Sequence, residues 1–194
     1  MTDSVVYGVR DIAAYPTTRE QGRAGRETID RLLEGRRDVE LTVSFDEVAG
    51  MTHSFIDEFL GRLLSMDELQ RRSITLKVTS LSSENLETLE VCLERRHQLV
   101  AHVEPGADLT LVAADRVSLE TFSAVLHKHS ATAADVAKRL GISPQNANNR
   151  LTRLTRFGAV RKSQVTSGGR GGKEFSYEGV TDEVPTLVSC QTQL

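Results

Sequence analysis

The stretch LGISPQNANNRLTRLTRFGAVRK, Leu140 to Lys162, carries the most readable local structure in the chain. Gly141-Ile142-Ser143 reads as a compact turn, with Gly141 supplying the left-handed backbone that ends a helix. Ser143 stands where its hydroxyl caps the next helix, and Pro144 fits that helix's first position. The second helix is predicted over Gln145 to Phe157, with Ala147, Leu151 and Leu154 on one stripe, and Gly158 stops it. Upstream, Thr132 caps a short helix from Ala133 to Leu140, in which Val136, Ala137 and Leu140 share a face. Before that, Leu119, Phe122, Val125 and Leu126 mark a first helix. The spacing predicts a helix-turn-helix, whose second helix enters the DNA major groove.

Outward from this motif, Ala159 to Val165 reads as a strand, Ser167 to Gly172 as a Gly-rich basic tip and Lys173 to Tyr177 as the returning strand, together a β-wing. With the apolar stripe buried, Gln145, Asn146, Asn148, Asn149, Thr152 and Arg153 are left outside. Asparagine lowers helix propensity and gains nothing in a core. It does hydrogen-bond adenine edges, as glutamine does, while arginine suits guanine. Ser143, Gln145, Asn146, Asn148, Asn149, Arg150, Arg153, Arg156, Arg161, Lys162, Arg170 and Lys173 are therefore the expected DNA-binding set. The cations among them serve phosphates or, at the wing, a minor groove; the blander alternative is a solvated basic face. Residues 118–180 resemble the winged helix-turn-helix domains of MarR-, ArsR- and DeoR-type bacterial regulators, which share the Leu-Gly-Ile-Ser turn, the Leu-x-x-Leu stripe and the Gly before a wing strand.

Charge is divided along the chain in the same way. The 194 residues hold 24 Lys plus Arg and 27 Asp plus Glu, a net of −3. Residues 1–117 carry 14 basic and 21 acidic side chains, a net of −7, whereas residues 118–194 carry 10 and 6, a net of +4. All ten of those cations fall between His127 and Tyr177, opposed there only by Asp135 and Glu174. Such asymmetry points to one half meeting a polyanion.

The acidic half alternates strand and helix patterns. Val39 to Phe45 and Ser73 to Thr79 each alternate apolar and polar residues, the mark of a half-buried strand. Between them Phe55, Phe59, Leu60, Leu63 and Leu64 recur at helical spacing, and a further helix is predicted over Glu84 to Val103. Arg19 to Leu33 also reads as helical, weakened by Gly22 and Gly25. Asp108 to Ala113 is a last short strand. The fold class expected is α/β (α+β): a strand-and-helix domain over 1–117 whose sheet is mixed, a winged helix-turn-helix over 118–180, and a polar tail over 181–194. That tail reads as a strand, a loose end or a dimer contact.

Phe45 to Phe59 runs from strand through a tight loop into a helix, and its Ser54, Phe55, Asp57 and Glu58 match the "S-F-x-D-E" element of the STAS-like family of unknown function. Arg19 and Gly22 fit that family's upstream Arg and Gly. The resemblance covers about residues 15–105 and implies a sheet backed by helices, related to anti-sigma factor antagonists. In those antagonists a Ser at this loop is phosphorylated by a partner kinase; counted from Val48, the usual Asp-Ser pair falls on Thr52 and His53. Thr52, Ser54, Asp57 and Glu58 are accordingly the candidates for a partner contact or phospho-switch. The simpler reading makes Ser54 a helix N-cap with Asp57 three residues on.

Other function classes find little support. No apolar run approaches the roughly 18 residues needed to span a bilayer, and Met1-Thr2-Asp3-Ser4 lacks the basic-then-apolar plan of a secretion signal. Cys92 and Cys190 are too few for a disulfide framework, which favours a cytoplasmic protein with reduced thiols. His53, His97, His102, His127 and His129 show no metal-ligand spacing. Neither a Walker loop nor a Gly-x-Ser-x-Gly elbow occurs. The expectation is a DNA-binding transcriptional regulator without enzymatic activity, metal or cofactor. It would act on double-stranded DNA as a homodimer, away from membranes, with the N-terminal domain sensing a signal or docking a protein. A signalling adaptor, with the STAS-like domain on a kinase-like ATPase and the winged helix on protein, is the alternative. An enzyme with a site near Thr52, His53 and Ser54 is the third.

Overall fold

The computed structural model describes residues 3–128, 130–165 and 174–184. Its larger sheet has the order β1-β2-β3-β4-β5: Asp3–Gly8, Val39–Ser44, Thr75–Thr79, Val100–His102 and Thr110–Val112. The first four strands run parallel and β5 pairs antiparallel with β4. The fold is thus α/β with a parallel-rich mixed sheet. Strands added in sequence order through right-handed crossovers put every connecting helix on one face. Those helices are α1 (Arg19–Leu32), α2 (His53–Ile56), α3 (Glu68–Arg71) and α4 (Ser83–Arg95).

The central strands are buried on both faces. Val39, Leu41, Val43, Leu76 and Val78 make one face, and alternation sends Glu40, Thr42, Ser44, Thr75, Lys77 and Thr79 to the other. The polar positions read from sequence as a solvent face are therefore interior.

Three features of this half depart from the sequence pattern. β1 was not anticipated; its first residues are exposed and its register is fixed only by pairing with β2, Val5 opposite Leu41. The helix expected to reach Val103 ends at Arg95, because His97 turns left-handed (φ 54°) and Val100–His102 joins the sheet as β4. The helix after β2 is not uniform either: α2 passes into a π-helical turn, Asp57–Gly61.

Gly22 and Gly25 of α1 stand at a close helix crossing. Thr18 and Gln21 cap α1 reciprocally. A methyl at Gly22 would stand 2.7 Å from the Phe55 carbonyl oxygen, and one at Gly25 2.7 Å from Ile12 Cδ1 and 3.1 Å from the Phe59 ring. The two glycines let α1 lie directly against α2 and the π turn, where Phe55 and Phe59 stack with centroids 5.4 Å apart.

The C-terminal half contains α5 (Arg116–Leu126), β6 (Ala131–Thr132), α6 (Ala133–Leu140), α7 (Pro144–Arg156), β7 (Val160–Val165) and β8 (Glu174–Gly179), with a second sheet of order β6-β8-β7. Its core, Phe122, Val125, Val136, Ala147, Leu151, Leu154 and Tyr177, is continuous with that of the larger sheet. The chain after β8 is no loose tail as far as it is described. Val180 is buried, and Thr181 bonds to Glu40 and Lys77 of the larger sheet. No helix among the described residues is long and apolar enough to cross a membrane.

Candidate nucleic-acid interface

Local chemistry fixes α5 to α7 at each end. The Asp115 carboxylate accepts from the Ser118 amide at 2.7 Å and starts α5; that bond and the Ser118 hydroxyl, then Arg153 and Arg150, hold its pKa below the ordinary carboxylate range. Thr132 and Asp135 cap α6 reciprocally. The side-chain bond from Lys128, followed by those from Thr132, brings the Asp135 pKa down to about 2. Gly141 ends α6 left-handed at φ 66°. Ser143 then caps α7 by accepting from the Asn146 amide, with Pro144 in the first turn. The expected turn and both caps lie where the sequence puts them.

Helix α7 has 13 residues and no acid among them. Ala147, Leu151 and Leu154 are fully buried against α5 and α6. Ser143, Gln145, Asn146, Asn149, Thr152 and Arg156 are exposed, and Asn148, Arg150 and Arg153 are half-buried. Two side-chain pairs one turn apart brace the outer face. Gln145 Nε2 donates to Asn149 Oδ1 at 3.1 Å, and Arg150 Nε donates to Asn146 Oδ1 at 3.0 Å. The second bond uses the arginine's inner nitrogen, Nε, and not its two terminal nitrogens.

The remaining predicted residues divide into groups. Asn148 faces inward enough for its Oδ1 to accept from the buried Tyr177 hydroxyl at 3.0 Å, tying α7 to β8. Arg153 turns toward Asp115, at 3.5 Å, and Arg161 Nη1 donates to the Asp38 carbonyl at 3.1 Å. Arg156 lies over its neighbour Phe157, 5.7 Å from the ring centroid. Lys162 stands on β7 with its ammonium 3.9 Å from the centroid of Phe175. Arg170, Lys173 and the Gly-rich tip lie outside the described residues. The sequence pattern missed Lys138 and Arg139, which are exposed in the last turn of α6 beside the α7 N-terminus. Their signal was the same as that of the chosen cations, a base on the polar side of a short amphipathic helix.

The candidates of the acidic half are mostly structural. Thr52, not Ser54, caps α2: its hydroxyl accepts from the Phe55 amide at 3.3 Å and donates to the Thr17 carbonyl at 2.6 Å. Ser54 sits two positions too late to cap and is exposed. Asp57 binds Arg96 at 2.6 Å and lies 3.7 Å from Arg19; the Arg96 bond holds its pKa low. Glu58 is buried against Arg26, whose Nη1 meets its carboxylate at 3.0 Å and its backbone carbonyl at 2.7 Å. The two acids thus clamp the π turn to α4 on one side and α1 on the other. Ser54 borders a shallow polar cleft with Arg19, His53, Asp57, Cys92 and Arg95.

Residues 24–86 match the STAS-like domain of unknown function. The matched stretch begins within α1, takes in β2, α2, the π turn and β3, and stops in the first turn of α4. It contains the Ser54, Phe55, Asp57 and Glu58 element, three of whose four residues form the core contact and the two clamps just described. No curated protein matches the chain.

Proposed function

We propose that the protein is a DNA-binding transcriptional regulator. In this reading α5 to α7 and the β7–β8 hairpin form a winged helix-turn-helix with α7 as the recognition helix, and the STAS-like half senses a signal or docks a partner. The observation that carries it is the outer face of α7: amides and arginines braced in pairs, no acid, on a helix held rigidly at its N-cap. Amides and guanidinium groups are the side chains that read base edges in the major groove. Lys138, Arg139, Arg156 and Lys162 flank that face and suit phosphates. The protein binds as a two-fold dimer on paired half-sites, as helix-turn-helix proteins do.

Fluorescence anisotropy with duplex DNA across a salt series tests the proposal. Specific and nonspecific binding should both weaken as salt rises, with log K linear in log salt. Affinity that is absent at low salt, or unchanged by salt, refutes it. The adaptor reading is favoured by one feature, the exposed Ser54 beside Arg19, His53 and Arg95. It requires a stable complex with a kinase-like ATPase and no preference for any DNA, so the same DNA titration separates the two.

A further inference from the structure

Glu40 on β2 and Lys77 on β3 form an ion pair at 2.7 Å with side chains 7% and 1% exposed. Two charges so fully removed from water are costly unless the rest of their hydrogen-bonding capacity is filled. Here one short segment fills it. Lys77 Nζ donates to the Thr181 carbonyl at 2.9 Å, the Thr181 hydroxyl at 2.8 Å and the Glu183 carbonyl at 2.6 Å. Glu40 accepts from the Thr181 amide at 2.8 Å and from the Thr181 hydroxyl at 2.7 Å. Elsewhere on the same sheet face the Thr42, Thr75 and Thr79 hydroxyls are buried without partners among the described residues. Hydrogen bonding on this face is therefore concentrated on one seat, and its occupant is the exit of β8.

The seat decides how the basic unit lies against the acidic half. Besides Thr181, the Leu76 amide on β3 donates to the Gly158 carbonyl at 2.9 Å, just where α7 gives way to β7. A methyl at Gly158 would meet the Ile74 oxygen and the Leu76 nitrogen at 3.2 Å. In this seated arrangement Arg161 Nη1 is held by the Asp38 carbonyl at 3.1 Å. A cation of the proposed DNA face is thereby engaged by the half whose net charge is −7.

We propose that the Glu40–Lys77 pair and the Thr181–Glu183 segment form an autoinhibitory latch, which holds the basic unit against the acidic sheet and withholds Arg161 from DNA. This rests on the DNA-binding reading. A signal that shifts β2 relative to β3 would part Glu40 from Lys77, release Thr181 and add Arg161 to the polyanion-binding face. Nearby acids also repel the phosphate backbone, so separation from them raises affinity by the same sign.

Thr181 is the residue to change, because it is itself exposed and both core partners stay in place. Thr181→Pro removes the amide and hydroxyl bonds to Glu40; Thr181→Ala removes only the hydroxyl and covers the case in which the proline variant fails to fold. Two measurements are made on the full chain: amide exchange at Leu76, and binding to a fluorescein-labelled random-sequence DNA duplex across a salt series. The expected result is faster Leu76 exchange in both variants. Binding at low salt tightens, and the slope of log K against log salt steepens by about 0.9 as Arg161 is released. Faster exchange with wild-type affinity and slope, or weaker binding, overturns the latch while leaving the DNA reading intact. Unchanged exchange shows that Thr181 holds nothing and also overturns it. Binding by neither wild type nor variants overturns both readings together.

Discussion

Gly22→Ala should destabilise the protein, although the same change in an open helix would stabilise it. Alanine is favoured over glycine in a helix interior by about 1 kcal/mol. At Gly22 the added carbon would lie 2.7 Å from the Phe55 carbonyl oxygen, and 3.1 Å from Glu58 Cβ and the Phe59 nitrogen. Ordinary carbon–oxygen contacts are about 3.3–3.6 Å, so α1 must retreat by roughly half an ångström or more. Two of the three obstructing atoms are backbone and cannot swing aside. A retreat of 0.5–1 Å forfeits roughly a quarter to a half of each dispersion contact across the crossing, including that of the fully buried Ile29. It also stretches the Arg26–Glu58 pair from 3.0 Å. Overpacking of this kind costs about 1–3 kcal/mol; less the propensity gain of about 1 kcal/mol, it leaves a net loss of up to about 2 kcal/mol. In urea unfolding the midpoint should drop at unchanged m. Ala24→Gly, on the exposed side of the same helix, supplies the intrinsic scale at about 1 kcal/mol. A Gly22→Ala protein more stable than wild type by that amount would show that α1 does not rest on its glycines.

Three further outcomes follow from named contacts. Asp57 is held below the usual carboxylate range mainly by the Arg96 bond, so its contribution to stability is present above about pH 4 and is lost as pH falls through the lowered value. Asp57→Asn should lower Tm at pH 7 and differ progressively less from wild type below pH 4; a constant gap across that range would sink the assignment. Cys92 is buried, and burial with Asp57 beside it pushes the thiol up to about 11. In a Cys190→Ser background it should react with Ellman's reagent at pH 8 only as fast as the protein opens, and rapid reaction of the folded chain would refute the placement. On the proposed DNA face, Arg150→Ala should weaken binding by about 1–3 kcal/mol. Asn146→Ala should add little once Arg150 is gone, since one braces the other, and full additivity in that double-mutant cycle argues against the bracing.

What could be read from sequence was what local chemistry decides. Gly141, Ser143 and Pro144 announce a helix end, a cap and a first turn without help from distant residues, and the structure has all three in place. Where an apolar run satisfies two periodicities, the pattern could not choose. Leu99, Val100 and Ala101 continue the α4 stripe as plausibly as they begin a strand; the left-handed turn at His97, a residue enriched in that conformation but far more often found outside it, makes the choice. The π turn was hidden for a related reason, since Phe55, Phe59, Leu60, Leu63 and Leu64 keep an apolar face whether or not one turn holds an extra residue. The cap was misplaced by two positions because Ser and Thr both cap helices and Ser is the more favoured; the choice falls to Thr52 through its bond to Thr17, a contact 35 residues away in sequence.

The buried pair of Glu40 and Lys77 was beyond any local reading. Each is an alternate polar residue on a strand, the ordinary signature of a wet face, and the segment that makes their burial tolerable arrives 104 residues after Lys77. That distance also changes what the charge division means. Taken along the chain, −7 and +4 describe an acidic half and a basic half with separate surroundings. In space they meet: the Asp38 carbonyl holds Arg161, and Glu40 holds the exit of β8. Part of the basic charge is then already spoken for within the molecule, and on the DNA-binding reading the affinity of the intact chain should fall below that of its basic surface taken alone. Arg161→Ala in the wild-type chain should therefore weaken DNA binding far less than Arg150→Ala, whereas in the Thr181→Pro chain the two losses should converge. Equal losses in the wild-type chain would mean that Arg161 reaches DNA without leaving the Asp38 carbonyl, and the internal competition would have to be abandoned.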